Sequence, residues 1–135
     1  MRLKKTVADL VNYERVCRVA TAGPGGMPHV VPVCQVVVAG KIYFASAIKG
    51  RKVDNLEANP QVALTVDLYS DAWANIKGVM IQGPAKLVRK GPVFRRIRKL
   101  LYDKYPLYSE RAPLDESDSL IVEVTPASVF TWGLD

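Results

Sequence analysis

Histidine is almost missing from this chain: His29 is the only one in 135 residues, so a histidine-rich metal site cannot be assembled from one copy. Cysteine is equally sparse. Cys17 and Cys34 lie seventeen positions apart in strand-like segments, a spacing that fits no metal or redox motif. They read as buried thiols behaving as small hydrophobes rather than as a disulfide, and no metal is expected. No apolar run approaches the roughly 18 residues of a membrane span. The longest, Val30 to Ala39, is interrupted by Gln35 and rich in β-branched residues, as a buried strand would be. No secretory leader is expected, because Asp9, Asn12 and Glu14 follow the basic start where an apolar stretch would be needed. The expected location is therefore cytoplasmic. Acidic residues are the scarcer charge, 13 against 19 basic ones, but the imbalance is local. Residues 86–105 hold eight cations against Asp103 alone, so any anionic partner recruited by bulk charge should meet the protein there.

What is present is ordinary globular composition, 49% hydrophobic and 24% charged, which argues for one packed core and a single domain over 1–135. The pattern predicts a helix over 6–15 and a strand over 16–22, followed by a turn at Gly23-Pro-Gly-Gly26. A strand over 27–38 turns at Ala39-Gly40 into another over 41–47. Pro28 and Pro32 suit only an edge or a bulge. A short helix at 50–58 precedes a strand over 61–69 with Val62, Leu64, Val66 and Leu68 alternating. Then come a loop, a long strand over 76–88 kinked near Gly83-Pro84, and a helix opened by Pro92 with Phe94, Ile97, Leu100 and Leu101 at helical spacing. A polar loop over 109–119 leads to a strand over 120–124 and a last segment ending at Trp132. Mostly β structure with small helices, its strands joined by hairpins, implies an antiparallel barrel of six to seven strands.

The richest segment for chemistry surrounds Gly50. Lys49, Arg51 and Lys52 crowd the point where a strand yields to a helix, with Ser46 at the strand end. A helix start offers unpaired N–H groups and the positive end of a dipole, and arginine can grip phosphate oxygens bidentately. Two readings stand side by side at this level: a phosphate-monoester site, and an ordinary solvated basic turn.

Context beyond the charge carries a resemblance. The stretch Phe44 to Pro60, with its strand, its Arg51-Lys52 pair, Asn55-Leu56 and the closing Asn59-Pro60, resembles the phosphate-binding segment of the pyridoxamine 5′-phosphate oxidase-like FMN-binding split barrels. Arg18-Val-Ala-Thr21 with Gly26-Met-Pro-His-Val-Val-Pro-Val33 resembles that family's first hairpin. Lys77 to Gly83 resembles its long central strand, and Pro126 with Trp132 its C-terminal strand. The resemblance implies a split β-barrel of Greek-key type and an oxidoreductase passing hydride between FMN and a small substrate, with NAD(P)H as donor. It further implies a homodimer carrying flavin at its interface. By position, Arg51 and Lys52 would bind the FMN phosphate, helped by Lys49 and Ser46. Val31, Pro32 and Val33 would face the isoalloxazine. Lys77 and Gly78 would reach it from the second subunit, and Trp132 would pack near it or plug the barrel end.

Departures limit the resemblance. Nothing through Asp135 matches the oxidase's arginine- and histidine-bearing tail, which argues against vitamin B6 oxidation, and Gly78 stands where a glutamine is usual. Residues 89–118 match no motif of the family. A deazaflavin cofactor is the first alternative, its longer anionic tail suiting the surplus charge of 86–105, and haem held by His29 is another. A non-catalytic flavin carrier and a nucleic-acid-binding module using the helix at 92–104 complete the set, though no aromatic stacking residues interleave with those charges. Trp73 is read as a rim residue, a substrate wall or core, and Asp115, Glu116 and Asp118 as a solvated polar loop.

Overall fold

A computed structural model describes residues 2–134. Its elements run α1 Lys5–Tyr13, β1 Cys17–Ala22, β2 Pro28–Val33, β3 Gln35–Val38, β4 Lys41–Ala47, α2 Arg51–Ala58 and β5 Gln61–Leu68. Then follow β6 Lys77–Val88, α3 Pro92–Lys104, α4 Tyr108–Arg111, β7 Ser119–Val124 and β8 Ser128–Trp132. All ladders are antiparallel, in the order β2-β1-β5-β6-β7-β4-β3, with β8 on β6. The two ends of that order, β2 and β3, are consecutive in the chain and joined only through Cys34. The barrel is thus closed covalently at one seam but not by a ladder, which makes it split.

Three expectations need correction. The predicted strand over 27–38 is two strands, because the chain leaves β1 after Val33 and joins β4 at Gln35. An apolar run broken only by Gln35 hides that change of partner. The polar loop over 109–119 begins with the one-turn helix α4. With β8 counted, eight strands form instead of six or seven.

Local chemistry explains the joints. Ala39 and Gly40 both have positive φ, 51° and 77°, the requirement of a two-residue hairpin between Val38 and Lys41. Pro28 and Pro32 sit on β2, at the end of the strand order, where a missing N–H breaks no outer ladder. β6 is shared by both half-sheets: residues 77–84 pair with β5 and residues 85–88 with β7, so the change of partner falls at Gly83-Pro84.

Two apolar cores result. Val19, Phe44, Leu64, Ile81 and Val122 fill the barrel, with Val11 of α1 and Val53 of α2 packed in. The second lies under α3, where Phe94, Ile97 and Leu101 cover Val36, Tyr43 and Ile121. At about 25 cal/mol per Å² of apolar surface, each buried Phe or Leu contributes about 1.5–3 kcal/mol. This second core holds α3 against the barrel. No described helix is long and apolar enough to cross a membrane.

Candidate functional site

The chain crosses the split from β2 to β3 at Cys34, and the end of β4 and the start of α2 lie beside it. A cleft of about 950 Å³ opens there. Its inner side is made by Pro32, Val33 and Cys34 from β2 and its exit, and by Ala45, Ser46 and Ala47 from β4. Lys52 enters from the first turn of α2. Arg15 and Val16 form one flank. The opposing wall is the segment after α3, from Tyr105 to Tyr108 and on to Arg111 and Ala112.

Of the residues singled out from sequence, Pro32, Val33, Ser46 and Lys52 line this cleft together. Lys49 and Arg51 are exposed beside Lys52 in the chain and do not line it, and Val31 faces Val19 across the β1–β2 ladder. Lys77, Gly78 and Trp132 gather elsewhere. Gly78 and Trp132 are paired across β6–β8 on the outer face of the sheet, where a Cβ at position 78 would strike the Trp132 indole. Trp132 therefore does not plug the barrel end. Trp73 is 79% exposed, which removes the core reading for it. His29 is not in the cleft, and its Nδ1 is buried without a partner. No group of three or more potential metal ligands exists among the described residues.

The electrostatics of the cleft set it apart. Six ion pairs form among the described residues, and none involves Arg15, Lys49, Arg51, Lys52 or Arg111. No carboxylate among the described residues lines the cleft. Burial pushes the Lys52 ammonium below the usual lysine range, since a partly desolvated charge lacks compensation. An anion arriving there would supply that compensation. The first turn of α2 has no capping side chain, leaving its N–H groups available as well. Ser46 is almost fully buried, and its hydroxyl donates to the neighbouring Ala47 carbonyl at 3.1 Å, a local bond readily exchanged for a ligand oxygen.

The floor behind the cleft is a polar hub that sequence reading passed over. Gln35 is fully buried, and its Nε2 donates to the carbonyls of Val11 and Glu14, both at 2.8 Å. The Gln35 backbone N–H donates to the Tyr105 hydroxyl at 3.0 Å. Lys104 Nζ donates to the carbonyls of Glu14 and Gln35 at 2.9 and 2.7 Å. Burial, with Arg15 nearby, brings that ammonium down to about 8. Tyr105 and Tyr108 are pushed up to about 12, mainly by burial, so both stay neutral walls at physiological pH. The only sequence signal for this hub was a lone polar residue inside an apolar run.

A protein-family model described as pyridoxamine 5′-phosphate oxidase matches residues 3–133. Among solved structures, a conserved hypothetical protein from Mycobacterium tuberculosis superposes with a TM-score of 0.82 at 22% identity, over 98% of this chain and 85% of that one. The heme storage protein HutZ from Vibrio cholerae gives 0.79 at 18%, over 96% and 94%. A protein titled F420 reductase gives 0.76 at 24%, over 95% and 98%. At these identities the likenesses establish the fold. No curated protein matches the sequence.

Proposed function

The chain belongs to the pyridoxamine 5′-phosphate oxidase family, and on that premise we propose that it is a flavin-dependent oxidoreductase that binds FMN in the cleft between β2, β4 and α2. The observation that carries the reading is Lys52: a half-buried cation without a carboxylate partner, entering a cleft of cofactor size at a helix start beside a buried serine hydroxyl. These residues fit a phosphate monoester. Lys52 would meet it as a point charge and Ser46 as a hydroxyl donor, with the exposed Arg51 and Lys49 adding charge from outside the lining. Val31, Pro32 and Val33 offer the free edge of β2 to the ring system. When bound, the flavin supplies hydride exchange with a small substrate, and NAD(P)H is the proposed electron donor.

The chain's own contribution is binding, orientation and exclusion of water. Tyr105 and Tyr108 stay protonated, and burial raises the Cys34 thiol further from ionisation, so the cleft has apolar walls instead of a base. A second copy would complete the site. The outer face of the sheet presents Val30 and Phe130, 64% and 61% exposed, with Met80 opposite Phe130 and Gly78 opposite Trp132 between β6 and β8. Covering this face in a homodimer would bring the partner's Lys77-, Gly78- and Trp132-bearing strands to the interface.

The test is titration with FMN, followed by quenching of its fluorescence. The double replacement Arg51→Ala and Lys52→Ala should weaken binding more than tenfold, since charge-assisted contacts are worth about 1.5–3 kcal/mol each. A wild-type protein that binds neither FMN nor a deazaflavin would overturn the reading. Absorbance of the copurifying cofactor separates those two, the deazaflavin absorbing at shorter wavelength.

A further inference from the structure

The cleft has further cations that the phosphate reading leaves unused. Besides Lys52 and Ser46 it is lined by Arg15, Tyr105, Leu107, Tyr108 and Arg111. Arg15 is held in place: its Nη1 donates to the Lys104 carbonyl at 2.7 Å, and its guanidinium lies 5.8 Å from the Tyr105 ring centre. That leaves most of its donors free. Arg111 is exposed and takes part in no ion pair among the described residues.

Beside these arginines the lining is apolar and stiff. The Tyr105 and Tyr108 rings meet edge to face with centroids 6.1 Å apart, and bonding to Gln35 ties down the Tyr105 hydroxyl. Leu107 is 54% exposed beside them, a large aliphatic side chain with nothing over it. An aromatic wall with its polar atom already engaged selects a flat apolar body, whereas a guanidinium selects a planar oxyanion bidentately. The volume, about 950 Å³, lies at the upper end of single-ligand sites, consistent with two occupants.

We propose that this part of the cleft binds the substrate, a flat conjugated carboxylate, packed against the Tyr105–Tyr108 wall with its carboxylate held by Arg111. The assignment of this ligand as substrate rests on the flavin reading, whereas its binding does not.

Trans-cinnamate is the probe, with cinnamyl alcohol as its uncharged counterpart, titrated by calorimetry into protein with and without FMN. Cinnamate should bind both forms without displacing FMN, and the alcohol should bind roughly tenfold more weakly or worse. Arg111→Gln, at an exposed residue with no side-chain bond to lose, should weaken cinnamate about tenfold and leave FMN affinity unchanged. Lys52→Ala should do the reverse. Absence of cinnamate binding, equal binding of the alcohol, or indifference to Arg111→Gln would overturn the proposal. Competition between cinnamate and FMN would also overturn it, since the carboxylate would then occupy the cofactor's own end. Loss of FMN binding with cinnamate binding intact would instead count against the flavin reading alone.

Discussion

Two parts of this molecule are basic, and they differ in what their charges touch. Helix α3 and its approach hold most of the net charge, yet Arg89 reaches Glu57 at 3.4 Å, Arg95 reaches Glu116 at 4.0 Å, and Lys99 reaches Asp103 at 2.9 Å. Arg98 is spent on the Leu114 carbonyl. The cleft holds fewer cations, but Arg15, Lys52 and Arg111 have no carboxylate opposite them among the described residues. The comparison teaches that a count of charges locates a solvated face, whereas unpaired, partly buried charge locates a candidate anion site. Lys104 links the two regions: it ends α3 in sequence, but its ammonium braces the floor of the cleft.

The comparison can be broken first through packing. Phe94 is fully buried under α3, and Phe94→Ala should cost about 3–5 kcal/mol in urea unfolding. Because α3 carries the Tyr105–Arg111 wall, cinnamate binding should fall with stability. If binding survives intact, the wall does not depend on the helix that positions it.

A smaller effect concerns Lys104. Its ammonium is lowered to about 8 in the folded chain from about 10.5, so between those values the unfolded chain holds more protons. Stability should therefore rise with pH from about 8 towards 10.5, on account of this group. Unfolding of wild type and Lys104→Gln at several pH values within that window checks the sign: the wild type should gain on the variant as pH rises. A gap that narrows would contradict the burial of the charge.

The smallest effects are expected on the outer face of α3. Arg96→Ala and Lys99→Ala should each change stability by no more than about 0.5 kcal/mol and leave FMN affinity unchanged, as exposed charges usually do. A loss of FMN affinity comparable to that of the Lys52 variant would erase the distinction between the two regions.

Much of the architecture was legible because its signals are local. The alternation of Val62, Leu64 and Val66 marks β5, Pro92 marks the start of α3, and Ala39-Gly40 marks a hairpin. The gathering of Pro32, Val33, Ser46 and Lys52 around one cleft was also readable, through resemblance to a known segment order. What escaped depends on distant partners. The break at Cys34 leaves no composition signal, and Gln35 meets Tyr105 across 70 positions of chain. Leu107 and Tyr108 fall in the stretch 106–118 from which, with the loop 70–75, substrate contacts are expected, but neither they nor Tyr105 carry a local signal of which way they face. Only the fold of α3 back over β3 and β7 turns them towards the cleft.

One strand gives the two halves a common fate. β6 is laddered to β5 and β8 along its first part and to β7 along its last, so it cannot peel away without unpairing all three. The two half-sheets are therefore expected to lose structure together, as one cooperative unit. A ligand seated between β2 of one half and β4 of the other therefore shields the whole chain from unfolding, although it touches only the seam.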